Sequence, residues 1–243
     1  MSEPEIVIVE NAAAVAAEAA ARFIAVSELG QPFTVALAGG STPKAMYELL
    51  SGELAERVAW GHCSLYFGDE RCVPPEHADS NFRMVKEALI DPLALRRFHP
   101  KSVARMEGER EPQSAATHYA DLLRDVGDPP SFDLVLLGMG ADGHTASLFP
   151  GTAALSERSA TVAANFVAKL DTYRLTLTYP VLAAAKRIVV LVAGPEKAAV
   201  LPLAIRGAPG TVPLRDLRPR RSPSGAQTGT MAFICDRAAA KDL

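Results

Sequence analysis

Cysteine is scarce in this chain. Its three residues, Cys63, Cys72 and Cys235, are odd in number and form no C-x-x-C pair. That excludes a disulfide framework and a thiolate zinc site, and reads as a protein of a reducing, cytoplasmic compartment. The first ten residues, MSEPEIVIVE, are acidic and lack the basic region and long apolar core of a signal peptide. No apolar run approaches the ~20 residues of a spanning helix; the run at residues 188–194 falls far short. Positive charge is not in excess either. With 25 Lys and Arg against 28 Asp and Glu, the net charge is −3. Nucleic acid and anionic membranes are therefore not expected as partners, and any anion site has to be built locally. The chain has no H-E-x-x-H or H-x-x-x-H metal pair and no G-x-S-x-G nucleophile elbow, so neither a metal nor a serine nucleophile is expected.

What is present is enough for a full core: 243 residues, 49% of them hydrophobic. Strand-like runs at residues 5–9, 33–38, 63–67, 132–137, 174–178 and 187–192 alternate with helical patterns at 11–28, 42–50, 81–89, 112–126 and 194–205. Residues 68–79 read as irregular. The segment 206–229 is rich in Pro, Gly, Ser and Arg, with Arg215, Arg218, Arg220 and Arg221, and reads as a solvated surface loop. A strand at 230–234 and a helix at 236–241 close the chain. Alternating strands and helices predict an α/β fold with a parallel sheet covered on both faces. No repeat and no strong linker appears before residue 205, so one domain over residues 1–243 is expected.

Three motifs carry the chemistry. Residues 136–151, LLGMGADGHTASLFPG, follow a buried strand and hold Gly138, Gly140, Gly143, Asp142 and His144. Glycines let the backbone approach a ligand, and histidine suits proton transfer near neutrality. The edge where strands end is where open α/β sheets bind ligands. His62, His77, His99 and His118 have no such context. Residues 38–44, AGGSTPK, join a strand to a helix. The free amides at a helix N-terminus form an anion cradle to which Gly40, Ser41, Thr42 and Lys44 contribute; alternatively, this is a tight turn with Thr42 as the helix cap. Residues 67–74, FGDERCVP, place Asp69, Glu70 and Arg71 after another strand, with Asn81 a little beyond. They are either ligand groups, Arg71 being suited to phosphate, or a charged loop with an internal ion pair.

In that order, GGSTPK, FGDERCVP with DSNF, and LLGMGADGHTASLFPG resemble the 6-phosphogluconolactonase family. The likeness continues through YRLTLT (173–178) and VAGPEK (192–197) and covers roughly residues 5–205. It implies a Rossmann-like three-layer α/β/α sandwich with a mainly parallel, twisted sheet. It also implies hydrolysis of 6-phospho-D-glucono-1,5-lactone to 6-phospho-D-gluconate, the second step of the oxidative pentose phosphate pathway, with no cofactor. In that reading His144 is the general base on water, and Asp142 holds it or positions the substrate. Gly40, Ser41, Thr42 and Lys44 line the pocket, with Asp69, Arg71 and Asn81 opposite. Arg71, Arg174 and Lys197 take the phosphate. The group facing the oxyanion is open between loop amides at 138–143 and a basic side chain. The partner is a small phosphorylated lactone, and the oligomeric state is open between monomer and homodimer.

The end of the chain departs from the family pattern: Met231, Ala232 and Phe233 stand where members carry a Trp-containing strand, and the only Trp is Trp60. Two competing readings share the scaffold. Amino-sugar-phosphate deaminases/isomerases resemble this chain at the cradle and the histidine loop, but continue the loop with an acid, whereas residues 145–151 hold none. A non-catalytic sugar-phosphate sensor is the other.

Overall fold

Short apolar runs become buried strands when both faces of a sheet are covered. The computed structural model, which describes residues 3–220 and 228–243, places ten strands, most of them such runs. They are β1 (Glu5–Val9), β2 (Phe33–Leu37), β3 (Cys63–Phe67), β4 (Asp69–Arg71), β5 (Ser102–Val103), β6 (Leu134–Gly138), β7 (Val162–Val167), β8 (Thr172–Leu177), β9 (Arg187–Val192) and β10 (Thr230–Asp236). Seven form the central sheet in the order β1-β10-β9-β6-β2-β3-β5, every neighbouring pair parallel. Helices lie on both sides, giving the three-layer α/β sandwich. The core runs through the sheet at Val35, Leu65, Leu134, Val190 and Phe233, all fully buried; each large apolar side chain there contributes about 1.5–3 kcal/mol.

The first helix, α1 (Ala12–Ser27), starts where the Asn11 side chain accepts the Ala14 amide at 3.0 Å. It buries Val15, Ala16, Ala19, Ala20, Phe23 and Ile24 against β9 and β10; the alanines let it sit close to the sheet. The second, α2 (Ser41–Ser51), follows β2 directly. The helical stretch predicted at 81–89 runs on to residue 95 as α3 (Asn81–Val85), a wide π turn (Lys86–Ile90) and α4 (Asp91–Leu95). Pro92 has no amide to offer the Ala88 carbonyl one turn back. The Ser51 hydroxyl supplies that hydrogen bond instead, at 2.8 Å. Beyond lie α5 (Pro112–Leu122), α6 (Tyr179–Ala183), α7 (Leu201–Arg206) and α8 (Pro213–Asp216).

Four expectations are corrected. Residues 68–79 are not wholly irregular: β4 pairs antiparallel with β8, and β8 with β7, in a second, three-stranded sheet. The single helix over 194–205 is a 3₁₀ turn (Pro195–Lys197) followed by α7, because Pro202 fits only a helix's first turn. In place of the helix expected at 236–241, β10 runs to Asp236 and residues 237–242 form turns; Asp236 accepts the Ala239 amide at 2.7 Å and the Gly194 amide at 3.1 Å. The described part of the arginine-rich stretch is anchored through Arg215 and Arg218 rather than wholly solvated. Arg218 donates to the carbonyls of Ala204, Ile205 and Leu217 at 3.1, 3.2 and 2.6 Å, and burial followed by the neighbouring Arg215 lowers it to about 10. Arg221 lies outside the described residues. Among the described residues, no helix is long and apolar enough to cross a membrane.

Candidate active site

The parallel strands β2, β3, β6 and β9 all end on the same edge, and each feeds a segment that lines a cavity of about 500 Å³. Gly40, Ser41 and Thr42 come from the turn after β2, Asp69 and Arg71 from β4, His144 from the loop after β6, and Lys197 from the turn after β9. Arg174 of β8 and Asn81 of α3 complete the set. Two candidates stand apart. Lys44 is turned away on α2, half exposed, 3.7 Å from Glu48 one helical turn on; the i, i+4 spacing puts both on the outer face. Asp142 stands behind His144 rather than on the cavity wall.

The cradle is not a capped turn. Gly40 occupies the N-cap of α2, and no side chain caps it, so the first amides of the helix point outward unsatisfied by a cap. Gly39 is required by close approach: a Cβ there would lie 2.0 Å from Asn81 Oδ1. Asn81 is thus wedged between the first two motifs, beside the cradle rather than opposite it. Its amide nitrogen donates to the Asp69 backbone carbonyl at 2.9 Å and to the Asp69 carboxylate at 3.2 Å.

Glu70, between Asp69 and Arg71, is buried and does not face the cavity. Oε1 accepts the amides of Arg71 and Asn81, both at 2.7 Å; Oε2 accepts the Phe82 amide at 2.7 Å and the Ser80 hydroxyl at 3.1 Å. Burial raises its carboxyl, against the lowering effect of the backbone amides. Glu70 therefore clasps β4 to the start of α3 and sets the direction of Arg71 and Asn81 together. The sequence reading grouped Glu70 with Asp69 and Arg71 as ligand groups or a charged loop; alternation along β4 instead turns it away from both and into the protein.

In the histidine loop, Nδ1 of His144 lies 2.5 Å from Asp142 Oδ1. An ionised carboxylate only accepts, so Nδ1 donates, and in the neutral ring the lone pair is then on Nε2. Among the described residues Nε2 has no protein partner. Gly140 permits this geometry, since a Cβ there would fall 2.0 Å from Nδ1. The Phe149 ring stacks on the imidazole with centroids 4.0 Å apart. Asp142 Oδ2 accepts a second bond, from Lys169, which the sequence reading missed because it lies between β7 and β8, far along the chain. Burial raises the Asp142 carboxyl, but the bonds from Lys169 and His144 outweigh it and hold the group well below the carboxylate range. Ser147 donates to Asp69 Oδ2 at 2.7 Å, tying this loop to the second motif. The amides of Gly140, Gly143 and His144 are spent inside the loop, on His144 O, Gly140 O and Asp142 Oδ1.

At the other wall Arg71 and Arg174 are direct partners across β4 and β8. Arg71 also donates to the Asp79 carbonyl. Arg174 Nε is buried with no hydrogen-bond partner among the described residues, and burial, then the Arg71 guanidinium, lowers its proton affinity. Lys197 is mostly buried, its Nζ 3.5 Å from Glu196.

A parallel sheet whose strand ends carry a helix N-terminus, an acid-held imidazole and an arginine pair defines an open α/β protein with its ligand site at the C-terminal strand edge. The chain belongs to the glucosamine-6-phosphate isomerases/6-phosphogluconolactonase family, whose model matches residues 7–226. A 6-phosphogluconolactonase of Synechocystis is 36% identical over 226 residues, covering 90% of this chain and 88% of that protein. One from Treponema pallidum is also 36% identical, with 85% and 86% covered. The solved structure of 6-phosphogluconolactonase from Trypanosoma cruzi superposes with a TM-score of 0.81 at 29% identity, over 99% of this chain and 97% of that one.

Proposed function

We propose that this protein hydrolyses 6-phospho-D-glucono-1,5-lactone to 6-phospho-D-gluconate. One observation carries the reading: a single cavity joins an imidazole with an unpartnered Nε2 to two arginines that face each other across a strand pair. The names of the relatives support the same assignment. His144 takes a proton from water as its oxygen attacks the lactone carbonyl carbon. The tetrahedral intermediate then expels the ring oxygen, breaking the ester bond, and the imidazolium returns the proton to that oxygen. A positioned base of this kind contributes about 10²–10⁴-fold, which suits a strained ester that already hydrolyses in water. Arg71 and Arg174, with Lys197, hold the phosphate as charge-assisted partners. Asp69, fixed by Ser147 and Asn81, offers its carboxylate to a substrate hydroxyl. With the amides of Gly140, Gly143 and His144 engaged, the donors for the oxyanion come from the remaining loop amides, the amides of Ser41 and Thr42, or a basic side chain.

The test is a coupled assay in which glucose-6-phosphate dehydrogenase makes the lactone in place and 6-phosphogluconate is followed. Wild type should accelerate its formation. His144→Ala should lose about 10²–10⁴ in kcat while binding 6-phosphogluconate with similar affinity. No acceleration over spontaneous hydrolysis, or ammonia release from glucosamine 6-phosphate, would overturn the assignment.

A further inference from the structure

The third member of the histidine cluster comes from outside the loop. Lys169 sits in the 3₁₀ turn (Ala168–Leu170) that links β7 to β8. It lines the cavity, donates to Asp142 Oδ2 and places its Nζ 4.7 Å from the Phe149 ring centroid. That ring is the one stacked on His144. Asp142 therefore stands between two hydrogen-bond donors, the Lys169 ammonium on one oxygen and the His144 ring on the other.

We propose that Lys169 is a positioning residue for the reaction: by holding Asp142 Oδ2 it keeps Oδ1 on Nδ1 of His144 and offsets the carboxylate's charge, so that the imidazole stays neutral and accepts a proton at Nε2. The inference rests on the proposed role of His144 as base. A lone carboxylate beside an imidazole favours the imidazolium, which cannot accept a proton, while an ammonium on the other oxygen cancels much of that pull. The turn that carries Lys169 ends in Asp171, which adopts the left-handed conformation, and is fixed by the six-residue pairing of β7 with β8. The other charged groups that line the cavity around His144 are Asp69 and Arg71 from β4, Arg174 from β8, and Glu196 and Lys197 after β9. All remain in place when Lys169 is changed.

The experiment compares wild type, Lys169→Met and Lys169→Arg. Lactone hydrolysis is followed from pH 5 to 9, and the histidine ring signals of the isotope-labelled protein are titrated alongside, with His144 assigned through His144→Ala. Lys169→Met should lower kcat about tenfold, a fraction of what a positioned base supplies. It should move the acid limb of the kcat/KM profile to higher pH, because the imidazolium now persists further, and leave 6-phosphogluconate affinity within about twofold. Lys169→Arg should restore the profile. In the ring titration the wild-type signal should be that of the Nδ1–H form, and its midpoint should rise in Lys169→Met. An unmoved midpoint and acid limb would overturn the proposal, as would a change in KM alone, which would make Lys169 a substrate-binding group. If wild type fails to hydrolyse the lactone, the functional reading fails, and the ring titration still decides what Lys169 does.

Discussion

Arg71 and Arg174 stand directly opposite one another on adjacent antiparallel strands. Like charges in that register oppose folding by about 0.2–1 kcal/mol, and here Arg174 is also half-buried, with its Nε unpaired among the described residues. A dianion bound between them, as proposed, would remove the repulsion and complete the hydrogen bonding. Arg174→Met should therefore raise KM for the phosphorylated lactone roughly 10–100-fold, the equivalent of a charge-assisted bond of ~1.5–3 kcal/mol, with kcat little changed. Inorganic phosphate should raise the Tm of wild type and not of the variant; equal phosphate responses in a calorimeter would remove Arg174 from the anion site.

Asp142 joins catalysis to acid stability. Its carboxyl is held low in the folded chain, so its ionised form stabilises the fold at pH values above the unfolded value near ~4. That contribution is lost as pH falls through the lower folded value. Asp142→Asn should be less stable than wild type at pH 6 by urea denaturation, and the gap should narrow by pH 3. At neutral pH its kcat should fall about 10²-fold, because an amide can present either a donor or an acceptor to Nδ1 and no longer fixes the tautomer. A gap that is the same at both pH values would contradict the ion-pair origin of the stabilisation.

Glu70 acts on the substrate only through others. Glu70→Gln keeps the shape but turns an NH2 toward amides that need an acceptor. It should cost about 1–3 kcal/mol of stability and raise KM more than it lowers kcat, because Arg71 and Asn81 lose a shared anchor. Steady-state kinetics beside a urea titration reads both effects. A variant with normal stability and KM would show that β4 is held by its ladder alone.

The parts of the site that were legible in the sequence are those built locally. GGSTPK and GMGADGH announce themselves because a strand-to-helix turn, a helix N-terminus and an Asp two residues before a His are all set within a few residues. Six strands of the central sheet were legible for the same reason, since buried parallel strands are short apolar runs; β5, two exposed residues, was not. Of the second sheet only β8 was legible, in the alternating run at 174–178. β4 is three residues of charge and pairs with a strand about a hundred positions away, so neither its length nor its composition marks it as a strand. With it went the partnership of Arg71 and Arg174, the clasp made by Glu70 and the reach of Lys169. Lys44 misled in the opposite way: its neighbours in sequence form the cradle, but one residue inside a helix rotates a side chain by about 100°, enough to turn it outward. The helix expected over 194–205 failed on Pro202, whose effect depends on where the helix starts.

The small antiparallel sheet has one further consequence. Both arginines and the turn bearing Lys169 ride on the same three-stranded ribbon, and Ser147 ties that ribbon to the imidazole loop through Asp69. The span from the arginine pair to the imidazole, the proposed anion site and base, is therefore gauged by backbone ladders rather than by the reach of flexible side chains. A ligand one carbon too short cannot be met by a rotamer change; it has to leave one end of the ruler unfilled.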